Sequence, residues 1–246
     1  MSVEANGTVL VMDAGTGIKG LGKALVGGSE RIVLLLSHPH WDHLMGMPFF
    51  APLCERGRSI DVIDFEAGGA RFSPLEAVDG IHFPLRREEL PCELKTAPGD
   101  GIALLRERGF EARRILLNHP GGAYGYRIEA DGRSVVHMTD NEIDPPEGSA
   151  TAFEELADFC RGADVLCHDA QYLAGEHDDR WGWGHSAMPR VCDLAAAAGV
   201  GHLVLFHHDP DRTDAQVAEM ELEARATLAP HGVRCTAAFE GLSIEV

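Results

Sequence analysis

Short apolar runs bounded by polar turns recur along the chain, each only a strand's length, the pattern of strands buried on both faces in a parallel sheet. The spacing predicts strands over 8–12, 32–36, 59–63, 113–117, 124–129, 133–138, 164–167, 201–206 and 233–237. Between them, Phe153, Leu156, Ala157 and Cys160 fall at i, i+3, i+4 and i+7 and mark the core face of a helix over 151–161. An alanine-rich helix over 187–198 has Ser186 as its predicted N-cap, and Thr213 with Gln216 reads as a capping box opening a helix that runs to 228. Strands alternating with helices make this an α/β chain. The stretch from 55 to 109 is weakly patterned and broken by Pro74, Pro84, Pro91 and Pro98. Its arginines and glutamates nearly balance, as on a solvated surface, so no site residue is expected there.

What stands at the strand ends changes the picture. Strand 32–36 runs into Ser37 and then His38-Pro39-His40-Trp41-Asp42-His43, three imidazoles and a carboxylate within six residues. Open α/β sheets place their sites at the carboxyl ends of strands. His38 and His40, two apart, can grip one ion from an extended turn, while Asp42 and His43 point at a second position about 3.5–4 Å away, a metal–metal distance. The plainer account is a polar loop whose histidines bond only to backbone; the spacing favours two metals.

Other strand ends repeat the theme. Strand 113–117 delivers Asn118-His119-Pro120, and strand 133–138 delivers Thr139-Asp140, a carboxylate placed where a ligand bridging two ions would emerge. Strand 164–167 runs into His168-Asp169, which either support a site from outside or are simply buried or capping at the surface. Strand 201–206 ends in His207-His208, and spacing alone does not choose between them. His185, in Trp181-Gly182-Trp183-Gly184-His185-Ser186, lies beside the start of a helix, where the dipole favours anions such as phosphate. Asp13 ends the first strand, before a formal G-x-G-x-x-G at Gly15, Gly17 and Gly20. A dinucleotide site needs an acidic residue at the end of the next strand, and Ser37-His38 stand there instead. Asp13 is thus expected as a turn cap or as a carboxylate orienting a ligand histidine.

A chain of 246 residues, 45% hydrophobic, supports one sizeable core, and a single domain over 1–246 is expected. Its 39 acidic and 21 basic residues give a formal charge of −18, which argues against a basic groove for duplex DNA. Bound cations would offset part of that charge locally. Six cysteines without a C-x-x-C pair exclude a zinc ribbon or thioredoxin motif and point to a reduced, cytoplasmic setting. No secretory leader and no membrane-spanning run is expected.

The pattern His38-x-His40-x-Asp42-His43 resembles the signature of the metallo-β-lactamase superfamily. The wording from His119 to Glu129 resembles a bacterial phosphodiesterase branch, and Gly184-His185-Ser186 resembles the His-Ser of ribonuclease Z and its relatives. The resemblance implies a four-layer αββα sandwich and two divalent ions, zinc foremost, with manganese or iron as the other options. It assigns His38, His40 and His119 to the first ion, Asp42, His43 and His207 to the second, and Asp140 between them. Asp42 counts also as catalytic, and His185 as the proton donor. The implied reaction is hydrolysis, by water activated between the ions, of a small or cyclic phosphodiester or a short single-stranded RNA end. A thioester or lactone hydrolase is the nearest alternative, and an iron-dependent redox enzyme a more distant one. Homodimers are common in the family. Relatives usually begin with about two further strands before the counterpart of Thr8, so this chain is expected to lack the usual first strands and to leave one sheet edge open or covered by a partner.

Overall fold

The computed structural model describes residues 1–246 apart from 68, 69, 77, 98, 147 and 177. The chain divides into two compact units, Met1–Glu111 and Ala112–Val246, each built on one sheet.

The first unit contains, in chain order, β1 (Ser2–Ala5), β2 (Thr8–Met12), α1 (Ile18–Leu25), β3 (Arg31–Leu35), β4 (Ser59–Ile63), a small hairpin of β5 (Phe65–Ala67) and β6 (Ala70–Phe72), β7 (Glu93–Ala97) and α2 (Ile102–Glu107). Its sheet has the order β1-β2-β3-β4-β7, with β2, β3, β4 and β7 parallel. The edge strand β1, which the apolar pattern does not reveal, pairs antiparallel with β2 through Asn6-Gly7. Both turn residues have positive φ, 53° and 66°, as a two-residue hairpin turn matching the strand twist requires. Val9, Val11, Ile32, Leu34, Ile60 and Val62 pack with Ile18, Leu25, Phe50 and Leu53 into one core. Complete burial of each such aliphatic side chain stabilises by about 1.5–3 kcal/mol.

The second unit contains β8 (Glu111–Leu117, all but its first residue), β9 (Ala123–Ala130), β10 (Arg133–Met138), α3 (Phe153–Cys160), β11 (Val165–Asp169), α4 (Met188–Ala198), β12 (His202–Phe206), α5 (Asp214–Leu228) and β13 (Arg234–Ala237). The order is β13-β12-β11-β10-β9-β8, parallel from β10 to β13, with β9 antiparallel to β10 across an Asp131-Gly132 turn. Val136, Met138, Leu166, Leu203 and Leu205 form a core with Leu156 and Cys160 of α3, Val191, Leu194 and Ala195 of α4, and Met220, Ala224 and Leu228 of α5. Thr213 and Gln216 form the expected capping box: the Gln216 N–H donates to Thr213 Oγ1 (3.4 Å) and the Thr213 N–H to Gln216 Oε1 (2.9 Å).

Beside shifts at other strand ends, two sequence expectations need correction. β11 extends through His168 and Asp169, beyond 164–167. The N-cap of α4 is Ala187 and not Ser186. The usual orphan donors are already absent or engaged: the Met188 N–H donates to the Tyr172 carbonyl (2.8 Å), Pro189 has no N–H, and the Arg190 N–H donates to the Ala187 carbonyl (3.0 Å). Ser186 is thereby released for other bonds. Among the described residues, no helix is long and apolar enough to cross a membrane, and all six cysteines are free.

Candidate metal centre

In the first unit, β2 and β3 run in register with Met12 opposite Leu35, so Asp13 and the His38 loop leave the sheet side by side. Asp13 has φ 66°, a left-handed turn that aspartate tolerates better than most residues, and its N–H donates to the Leu35 carbonyl (2.8 Å). Its carboxylate accepts from the Ser37 N–H (2.7 Å) and Ser37 Oγ (2.9 Å) and lies 3.1 Å from His43 Nδ1. On the opposite edge of this buried ring, Nε2 lies 3.1 Å from Asp42 Oδ2. His38 is completely buried, with its Nδ1 3.0 Å from Ser37 Oγ. Its ring centroid lies 4.5 Å from that of His40 and 4.2 Å from that of His43. The structure thus gathers all three imidazoles of the motif, with Asp42 more than half exposed at their margin.

Of the glycines that imitate a nucleotide loop, Gly15 has a steric purpose here, shared with Gly46. A Cβ on Gly15 would stand 2.5 Å from the Asp42 carbonyl oxygen, and one on Gly46 would stand 2.1 Å from the Gly15 oxygen. The two backbone segments are stitched together by the Ala14 N–H to the His43 carbonyl (2.7 Å) and the Gly46 N–H to the Ala14 carbonyl (2.8 Å).

In the second unit, strand ends bring together residues distant in sequence. Asp140, after β10, directs one oxygen at each of two imidazoles: Oδ2 lies 3.8 Å from His119 Nε2 and Oδ1 3.4 Å from His207 Nε2. Thr139 Oγ1 donates to Oδ1 (2.6 Å), and His119 Nδ1 rests 3.1 Å from the Gly184 carbonyl. Asp140 and His207 both have φ 53°, so each strand turns sharply as it delivers its side chain. His208 faces elsewhere, with Nε2 3.2 Å from the Ala238 carbonyl, and burial lowers its pKa.

His185 Nδ1 lies 2.5 Å from Asp169 Oδ2 at the end of β11. The other Asp169 oxygen accepts from the N–H groups of Gln171 (3.0 Å) and Ser186 (3.3 Å). The His185 ring stacks on His207, with centroids 4.9 Å apart and planes 19° apart. Donor atoms of Asp140, Asp169, His185 and His207 all fall within 4.8 Å of one another. Asp169 is a functional candidate that sequence reasoning does not single out, since a carboxylate ending a parallel strand looks the same whether it caps a turn or orients a histidine. His168, beside it, is wholly buried, with Nδ1 2.6 Å from the Asp169 carbonyl and Nε2 3.1 Å from Asn141 Nδ2. Burial lowers its pKa.

The donor set fits a divalent ion. Imidazole nitrogens and carboxylate oxygens are the ligands of zinc and of iron or manganese at mixed N/O sites. Ligand atoms about 2.0–2.2 Å from a tetrahedral ion lie roughly 3.3–3.6 Å apart, and the 3.4 Å between Asp140 and His207 falls in that range.

Residues 9–208 match the family described as the beta-lactamase superfamily domain. The ribonuclease Z of Halalkalibacterium halodurans is 25% identical over 224 residues, covering 74% of this chain and 71% of its own. Among solved structures, the metallo-beta-lactamase fold protein YhfI from Bacillus subtilis superposes with a TM-score of 0.66 at 18% identity, covering 98% of this chain and 88% of that one. A diphosphatase from the PhnP family does so with a TM-score of 0.64 at 21% identity, covering 100% and 83%. These likenesses establish the fold, which is the one the motif implies.

Proposed function

The chain belongs to the beta-lactamase superfamily, and from that premise we propose that it is a metallo-hydrolase that cleaves phosphodiesters, either small or cyclic ones or the ends of short single-stranded RNA. The observation that carries this reading is Asp140, a carboxylate whose two oxygens face two different imidazoles, an arrangement suited to a ligand shared by two ions. The names of the relatives, a ribonuclease and a diphosphatase, support phosphorus as the centre attacked.

On the motif's assignment, His38, His40 and His119 would hold one ion and Asp42, His43 and His207 the other, with Asp140 available to both. Divalent ions bound there supply Lewis acidity toward phosphoryl oxygens and water that is nucleophilic near neutral pH, with zinc the first choice for this donor set. Asp13 orients His43, and Asp42, beside His43 Nε2, is both ligand and acceptor for the proton of the attacking water. Asp169 holds His185 by Nδ1, which leaves Nε2 to protonate the departing oxygen. The formal charge of −18 disfavours long polyanions and favours the smaller substrates. Free cysteines, four of them buried, suit work in a reduced cytoplasm, and a homodimer is the proposed assembly.

The test is elemental analysis of the purified protein beside a panel of bis-nitrophenyl phosphate, 2′,3′-cyclic mononucleotides, a thioester and a lactone. Two ions per chain and chelator-sensitive phosphodiester cleavage are expected. Turnover of the thioester or lactone with the phosphodiesters untouched would replace this reading with the carbonyl one.

A further inference from the structure

Glu142 stands two residues beyond Asp140 and is 1% exposed. Its Oε1 accepts from the Gly182 N–H (2.8 Å), while Oε2 accepts from the Gly184 N–H (2.9 Å) and again from Gly182 (3.1 Å). A buried carboxylate is expensive unless its oxygens are bonded, and bonds to N–H groups are stronger when the acceptor is charged. The two glycines have φ 89° and 88°, a conformation costly for any side chain. A Cβ on Gly184 would in addition stand 2.2 Å from His119 Nδ1.

The segment so held is the one that presents His185. It is fastened to the same loop on both flanks: Trp181 Nε1 donates to the Asp144 carbonyl (3.0 Å), Ser186 Oγ donates to the Asn141 carbonyl (2.5 Å), and the Ile143 N–H donates to Ser186 Oγ (3.0 Å). Residues 141–144 therefore grip residues 181–186 with Glu142 at the middle. Gly184, inside the grip, also sets the ring of His119 through its carbonyl.

We propose that Glu142 is a positioning residue for proton transfer: it clasps the His185 segment to the loop that carries Asp140, and so fixes the distance from proton donor to scissile bond without touching substrate. This rests on the phosphodiesterase reading above. Glutamine at 142 retains the shape but turns an NH2 group toward one of the glycine N–H donors, so half of the clasp becomes repulsive. A donor displaced by about 1 Å costs on the order of 10²-fold in rate. The loss falls on substrates that need the proton.

The experiment compares wild type, Glu142→Gln and Glu142→Asp on a diester with a sugar alkoxide leaving group and on a nitrophenyl diester, with metal content and amide hydrogen exchange of Gly182 and Gly184 measured in parallel. Glu142→Gln should keep its ions, lose about 10–100-fold in kcat on the sugar diester and only a few-fold on the nitrophenyl diester, and exchange both glycine amides faster. Glu142→Asp, charged but one methylene short, should fall between; it is read alone if the Gln variant does not fold. Equal losses on both diesters, or unchanged glycine exchange, would overturn the proposal. If wild type cleaves neither diester, the phosphodiesterase reading falls, and the exchange data alone decide the clasp: faster exchange upholds it and unchanged protection removes it.

Discussion

In Met1–Glu111 the chemistry-bearing side chains lie almost consecutively on one loop, whereas in Ala112–Val246 they arrive from the ends of β8, β10, β11 and β12 and from the segment before α4. The two arrangements depend on different physics. The first needs local backbone geometry: glycines where chains pass within van der Waals contact, and Asp13 in a left-handed turn. The second needs the sheet, because parallel register alone sets Asp140, Asp169 and His207 on neighbouring strand ends, and the left-handed turns at Asp140 and His207, costing about 1–3 kcal/mol each, are tolerated only on a well-packed core. A local loop should therefore survive mild insults elsewhere in its unit, while a distributed group should fail when any one strand end is altered.

The harshest way to break that contrast is Asp140→Ala. It removes a carboxylate whose two oxygens face His119 and His207. Metal content should fall by at least one ion per chain, and activity by more than the 10–100-fold typical of losing an outer partner. Retention of full metal and rate would remove Asp140 from the centre. Next in size is His185→Ala, for which metal content should stay constant while cleavage of sugar-like diesters drops about 10²–10⁴-fold and nitrophenyl diesters much less. Loss of metal in this variant would make His185 a ligand, an arrangement its place beside Asp140 and His207 also permits.

The corresponding change in the first unit is Asp13→Ala. Asp13 touches His43 and Ser37 but supplies no ligand on the motif's assignment, so the effect should be intermediate, about 10–100-fold in metal affinity with folding little changed. A metal titration followed by calorimetry measures it. If the affinity is unaltered, Asp13 serves the turn and not the histidine.

The contrast also explains what could be read from the sequence. His38, His40, Asp42 and His43 announce themselves because one loop writes them together, and the strands feeding them are short apolar runs. His119, Asp140 and His207 were legible only as polar residues at strand ends, with the family resemblance choosing His207 over His208; the structure turns His208 to the Ala238 carbonyl. Asp169 and Glu142 have no signature, since a carboxylate that orients a histidine or clasps a loop acts through residues some 16 and 40 positions away. β7 and α2 were hidden in the region where charge outweighs periodicity. β1 escapes the apolar pattern although Asn6-Gly7 is a strong hairpin signal, because Ser2–Ala5 is too polar and exposed to show an apolar run. Ser186 misled through its type: serine before a helix is usually a cap, but Pro189 and the Tyr172 carbonyl had already dealt with the donors.

The smallest expected effect concerns stability and depends on the sheet of the second unit, not on any bound ion. His168 in β11 is fully buried, and burial lowers its pKa from the ordinary value of 6.5; His202 in β12 is shifted the same way by the same cause. A histidine held neutral in the folded protein binds no proton where the unfolded chain does. Its contribution is thus complete above pH 6.5 and is lost as pH falls from 6.5 toward the lowered folded value, with a limiting slope of about 1.4 kcal/mol per pH unit for each proton. Acid also releases ions from ligand histidines, so the measurement belongs on chelator-treated protein, by urea unfolding between pH 7.5 and 5.5. Wild type should weaken steadily below pH 6.5. His202→Gln, which retains an acceptor or donor for Thr236 Oγ1 where Nε2 lay at 2.9 Å, should show a shallower fall over the same window. Parallel curves for the two proteins would mean that His202 titrates alike in both states and that its burial in the sheet carries no proton linkage.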